Sequence, residues 1–188
     1  GLIGQKVKYS SISKEIKSVR LKEGIRQFEL ARILHLVHHS SGNGIPLKSE
    51  RKERDFKLLF LDARLMMHAL CLSVLSLKDN ALITINSRAL AEQFIGRQWL
   101  NLHKSHSNPE LFYWNREKSG SEAEVDYLFQ IDDKILPVEV KAGTTGSLKS
   151  LHVFASEKRS PVAIRYNLGK PYLSTVTARI PKTPRHTF

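Results

Sequence analysis

Cysteine is almost absent from this chain: Cys71 is the only one in 188 residues. An intrachain disulfide is thereby excluded, as is a zinc ribbon built on cysteine pairs, and a reducing, cytoplasmic setting fits. No uninterrupted apolar run of about 18 residues occurs, so no membrane-spanning helix is expected, and no basic-then-apolar leader opens the chain. Acids are scarce too, 18 Asp and Glu against 30 Lys and Arg, for a formal charge of +12. The phosphate-loop string G-x-x-x-x-G-K-[ST] is missing. Its nearest approach, Gly143-Thr144-Thr145-Gly146-Ser147-Leu148-Lys149-Ser150, has glycines three apart and Lys149 detached from them, so ATP is not expected to bind this segment. What is present is an ordinary globular composition, 41% hydrophobic and 26% charged. The length suits one large domain or two of about 90 residues.

The basic excess is shared by both halves and is the expected footprint of a nucleic-acid binder, since neutralised phosphates release counterions. In the first half, Ser10 to Ile16 reads as a short capped helix, and a second helix is expected at about 20–34 on the stripe Val19, Ile25, Phe28, Ala31, Leu36. Leu34 to His39 is strand-like, Ser40-Ser41-Gly42-Asn43-Gly44 is a turn, and the charged run Lys48 to Lys57 leads into a strand at Leu58–Leu61. Helix, helix, strand, polar loop, strand is the plan of a winged helix, whose wing would present Arg51, Lys52, Arg54 and Lys57 to nucleic acid. The plainer alternative is a solvated loop, its cations offset by Glu50, Glu53 and Asp55. Asp62 can cap a helix from Ala63 to about Leu72, with Met66 and Met67 as core filler. A domain boundary is expected near residue 85.

The second half reads as a helix from Ser87 to about His103, strands at Leu111–Asn115, Ala123–Ile131 and Ile135–Ala142, a helix at 147–158 and a strand at Val162–Tyr166. Asp132-Asp133 makes the tight turn of a hairpin. On this αβββαβ frame, Glu139 and Lys141 leave one face of a strand while Val138 and Val140 leave the other. Asp126, flanked by Val125 and Tyr127, pairs roughly with Glu139 when counted back from the turn. Two opposed carboxylates repel unless a cation joins them, and carboxylate oxygens suit Mg2+. Asp126, Glu139 and the carbonyl of Val140 are the candidate ligands. Lys141 is placed to serve the attacking water or the charge of the transition state. Glu92, with Gly96 leaving its helix face open one turn on, is the third candidate acid. His35, His38, His39, His103 and His106 have no cysteine or acid at metal spacing and read as scattered satisfied or exposed histidines rather than a zinc site. One of Tyr113 and Trp114 is expected to face the core rather than stack on bases.

Glu92, Asp126 and Glu139-Val140-Lys141 in the order helix, strand, strand resemble the PD-(D/E)XK nuclease-like superfamily, and imply a restriction-endonuclease-like α/β (α+β) domain over 86–188, preceded by a winged-helix-like domain over 1–85. The phrases Ala89-Leu90-Ala91-Glu92-Gln93-Phe94, Leu111-Phe112-Tyr113-Trp114-Asn115, Ala123-Glu124-Val125-Asp126-Tyr127-Leu128 and Pro137-Val138-Glu139-Val140-Lys141-Ala142-Gly143 are similar to the C-terminal region of a family of prokaryotic AAA+-type ATPases. The resemblance implies an ATPase domain preceding Gly1 in cis, in keeping with the absence of an initiator Met. It implies nucleic acid, DNA more than RNA, as the partner, and no membrane. The expected function is Mg2+-dependent cleavage or binding of nucleic acid through Glu92, Asp126, Glu139 and Lys141. The alternative is a non-catalytic binding or regulatory module of the ATPase, with the acids in a structural ion-pair network.

Overall fold

The structure is a computed structural model that describes residues 6–7, 12, 16–69, 80–102, 110–116, 123–144 and 146–176. Among the described residues, four α-helices and six strands are bounded in the order α1 (Ser18–Leu30), β1 (Leu34–Ser40), β2 (Arg51–Phe60), α2 (Ala63–Ala69), α3 (Asn80–Leu102), β3 (Leu111–Asn115), β4 (Glu124–Ile131), β5 (Lys134–Val140), α4 (Lys149–Lys158) and β6 (Ile164–Tyr166). The strands form one mixed sheet in the order β2-β1-β3-β4-β5-β6, parallel at β1/β3 and β5/β6 and antiparallel elsewhere. The α/β (α+β) class expected from the pattern of elements is the class observed. No helix among the described residues is long and apolar enough to cross a membrane.

The sheet is covered on both faces, which explains why β3 reads as an unbroken apolar run rather than an alternating one. Tyr113, Tyr127, Phe129, Val138 and Val140 pack with Leu100 of α3, and Trp99 of that helix stacks on Phe129 at 3.9 Å between ring centroids. Phe112, Trp114, Val125 and Leu128 pack with Leu151 and Phe154 of α4. Tyr113 and Trp114 are therefore both buried, one towards each layer, and neither is open to a base.

The first half departs from the winged-helix expectation in two respects. The charged run Lys48–Lys57 is not a wing loop: from Arg51 onward it is strand β2, because an edge strand can leave Lys52, Glu53 and Arg54 in solvent while Phe56, Lys57 and Leu59 turn inward. Nor do β1 and β2 form a sheet of their own. Val37, His38 and His39 of β1 pair with Leu111, Phe112 and Tyr113 of β3, so main-chain pairing joins segments from either side of residue 85. Helix α1 closes the outer end through Ile25, which meets Val7, Leu36 and Phe56. It ends at Leu30, and just beyond it the left-handed φ of 57° at Arg32 lets Ile33 N–H return to the carbonyl of Phe28 at 3.0 Å. The short helix expected at Ser10–Ile16 lies largely outside the described residues, as do His103 and His106.

Glycine 96 sets the distance between α3 and the sheet. A Cβ there would lie 2.5 Å from the Tyr127 hydroxyl and 3.0 Å from Leu59 Cδ1. The helix face at this point is not open, as its glycine suggests, but filled by Tyr127, whose hydroxyl donates to the Glu92 carbonyl at 2.8 Å. Substituting Gly96→Ala should destabilise the fold by about 1–3 kcal/mol, the usual cost of overpacking. Urea denaturation measures it, and wild-type stability in the variant would mean that α3 is free to move away.

Candidate functional site

Asp126 owes its position to an irregularity in β4. Phe112 pairs with Leu128 and Trp114 with Val125, so two steps on β3 match three on β4, and Asp126 and Tyr127 together oppose Tyr113. This bulge takes the carboxylate out of strict alternation. Its neighbours Val125 and Tyr127 consequently pack on different layers rather than sharing a face, as simple alternation predicts. The β4/β5 pairing runs from Ile131 opposite Lys134 to Tyr127 opposite Val138. One rung on, in the register counted from the turn, stand Asp126 and Glu139. There the side chain replaces the ladder: Val140 N–H donates to Asp126 Oδ2 at 2.8 Å. Val140 thus enters the site through its N–H.

Three further elements converge on this carboxylate. From α3, Arg88 spans two acids, its Nε 2.7 Å from Glu92 Oε1 and a terminal nitrogen 3.1 Å from Asp126 Oδ1. From β2, Lys57 approaches Glu92 Oε2 at 3.7 Å and Glu124 Oε1 at 2.5 Å, with its ammonium 5.1 Å above the Tyr113 ring. On β5, Glu139 alternates with Val138 and Val140, and Lys141 Nζ donates to Glu139 Oε1. The second oxygen, Glu139 Oε2, is buried and has no hydrogen-bond partner among the described residues.

The electrostatics follow from burial. Glu139 is pushed above the ordinary carboxylate range first by desolvation and then by the Asp126 charge, with Lys141 and Arg88 opposing. Glu92 is pushed up to about 7, again mainly by burial and further by Asp126, against the pull of Lys57 and Arg88. Burial works to lower Lys57, but Glu92, Glu124 and Asp126 outweigh it and hold the ammonium charged. His35 is lowered to about 4 and His38 is lowered too, both chiefly by burial, so these imidazoles stay neutral. Because Glu92 titrates near 7 when folded and near 4.5 when unfolded, the folded state binds more protons between those values, and stability falls as pH rises through them. Unfolding free energies measured across that window should decline less steeply in Glu92→Gln than in the wild type. Equal slopes would remove Glu92 as the cause.

Glu92, Asp126, Glu139 and Lys141 are thus brought to one end of the β4–β5 hairpin, with Asp126 as the group through which α3 and β5 communicate. Of the basic residues expected to meet nucleic acid, Lys52 and Arg54 are exposed on β2. Arg51 is engaged with Glu53 and, at 2.9 Å, with Glu110. Lys57 is buried among acids and is not available to an external phosphate, a correction that stems from its inward turn on β2. Sequence reasoning passed over Arg88, Lys57 as a partner of Glu92, and Glu124. Arg88 stands four residues before Glu92, a spacing that puts both on one helix face and marks the pair. Nothing local marks Lys57, whose partners lie 35 and 67 residues away in the chain.

The class defined here is a mixed α/β domain that gathers four acids, two ammonium groups and a guanidinium around a sheet bulge. Residues 88–180, which contain all of these groups except Lys57, match the family described as Domain of unknown function (DUF4143). No curated protein and no solved structure matches the chain significantly.

Proposed function

We propose that the chain carries a Mg2+-dependent phosphodiester hydrolase site acting on nucleic acid, DNA more than RNA, in a cytoplasmic protein whose ATPase domain precedes it in cis. The observation that carries this reading is the buried Glu139 carboxyl, one oxygen unpartnered, within the field of Asp126 and held by Lys141. Two carboxylates are the donor set that Mg2+ takes from a protein when substrate phosphate and water complete its shell, so the residues present fit the ion. Asp126 and Glu139 would hold it. Bound there, Mg2+ supplies charge neutralisation at the scissile phosphate and a more acidic water. Lys141 orients that water or stabilises charge developing on the phosphate oxygens. Glu92 shapes the field around Asp126 through Arg88. Exposed Lys52 and Arg54 on β2, with the overall charge of +12, support attraction of a polyanion.

Two observations favour a second reading, a non-catalytic module of the ATPase. Both Glu92 oxygens are engaged by cations of the chain, and no group of three or more His, Cys, Asp or Glu among the described residues is arranged to hold a metal. Thermal unfolding followed across a Mg2+ or Mn2+ titration separates the two. The hydrolase reading expects Tm to rise as the cation exceeds its Kd, by an amount corresponding to about 2.7 kcal/mol at a hundredfold excess, and the rise to vanish in Asp126→Asn. A Tm indifferent to millimolar cation would favour the ion-pair module.

A further inference from the structure

We propose that Arg88 is an exchangeable counter-ion: it clamps Glu92 and Asp126 together in the absence of a divalent cation, yields Asp126 to the cation, and then presents its guanidinium to a phosphate oxygen of the nucleic-acid backbone. The inference rests on the hydrolase reading above and assigns a positioning role to a residue outside the acid-and-lysine motif.

The geometry separates what Arg88 holds from what holds without it. Its fork links Glu92 Oε1 at 2.7 Å with Asp126 Oδ1 at 3.1 Å, spanning α3 and β4. If the fork swings away, neither acid is abandoned. Glu92 keeps Lys57 beside Oε2, and Asp126 keeps the Val140 N–H on Oδ2 at 2.8 Å. The oxygens set free are Asp126 Oδ1 and Glu92 Oε1, one on each acid, while the other oxygen of Asp126 stays anchored on the β5 backbone and that of Glu92 stays beside Lys57. The two carboxylates are buried, but the arginine side chain is 58% exposed, so it can leave by rotating into solvent without disturbing the core. A divalent cation replacing it beside Asp126 more than restores the lost positive charge. The released guanidinium stands at the rim of the site, and its planar donor fork matches two phosphate oxygens.

Isothermal titration of the 188-residue chain with Mn2+ tests the exchange, because a purely structural arginine and a competing one move the affinity in opposite directions. Removing a competitor worth about 1 kcal/mol should tighten Mn2+ binding by about fivefold in Arg88→Gln. Arg88→Lys, which keeps the charge and loses the fork, should fall between wild type and Arg88→Gln, and it carries the test if the glutamine variant does not fold. Binding of a short labelled DNA duplex, measured in Ca2+ over a range of salt, should weaken in Arg88→Gln with a salt slope shallower by about one unit. Unchanged or weaker Mn2+ binding in the variants, or an unchanged duplex affinity and salt slope, overturns the proposal. The two readings fail differently. If Asp126→Asn abolishes Mn2+ binding yet Arg88→Gln does not tighten it, only the exchange is lost. If wild type and Arg88→Gln both bind no Mn2+, the hydrolase reading falls and takes the exchange with it.

Discussion

Glu139→Gln and Lys141→Ala should each lower the rate of Mg2+-dependent DNA cleavage by about a hundredfold to a thousandfold, the loss typical when one preorganised charge or donor is removed from a reacting phosphate. The two substitutions act by different routes. Glu139→Gln keeps shape and burial but removes the negative charge that, with Asp126, would attract the cation, so its defect should grow as Mg2+ is lowered. Lys141→Ala leaves both carboxylates in place and removes the ammonium that now rests on Glu139 Oε1. Its defect should persist at saturating Mg2+ and appear in the rate of the chemical step. Single-turnover cleavage of a labelled duplex over a Mg2+ series measures both, and cutting at the wild-type rate in either variant would refute the hydrolase reading. Because Glu139 is already raised by burial and by Asp126, the glutamine should not weaken the fold, which keeps a catalytic loss distinct from unfolding.

The largest effect on stability is expected at Lys57. Replacing it by Met leaves a side chain of similar length in a buried slot but removes the cation lying 2.5 Å from Glu124 and 3.7 Å from Glu92. Breaking a buried ion pair by deleting one partner costs about 3–5 kcal/mol. The lower end applies here, since Lys6 remains 3.0 Å from Glu124 and Arg88 remains on Glu92. Against a total stability of about 5–15 kcal/mol, that is a large fraction. Glu124 adds a signature in pH. Burial tends to raise it, but Lys57 and Lys6 outweigh that and hold it below its ordinary value of 4.5. A depressed carboxylate contributes stability above the unfolded value and loses it as pH falls through the folded one. Lys57→Met should therefore be most destabilising near neutrality and less so in acid, and adding Glu124→Gln should recover part of the loss. Urea denaturation at pH 7 and pH 4 tests this, and a penalty below about 1 kcal/mol at pH 7 would mean that water reaches the pair.

Much of the second half was legible because its signals are local. Strand β3 is bounded as the run Leu111–Asn115 requires, and the Asp132-Asp133 turn fixes the hairpin, with Asp132 at a φ of 53°. From that turn the count to Asp126 and Glu139 follows by arithmetic. What was not legible depends on distant partners. The bulge at Asp126 has no glycine to announce it and arises from the meeting of β4 with β3. Strand β2 hid behind its charges because Lys52, Glu53 and Arg54 face solvent at a sheet edge, where a strand needs no apolar alternation. Gly96 reads as an opening in the sequence, since nothing near it names the tyrosine that fills it.

The parallel pairing of β1 with β3 has a bearing on how the chain can be divided. A piece cut to residues 88–180 would end the sheet at β3, exposing the main-chain edge of Leu111, Phe112 and Tyr113 that β1 occupies. A raw edge lined by large apolar side chains invites pairing with other copies. The stretch that sequence similarity recognises and the stretch that completes the sheet thus have different ends, and the β1–β2 hairpin upstream covers the edge that the matched region alone would leave bare.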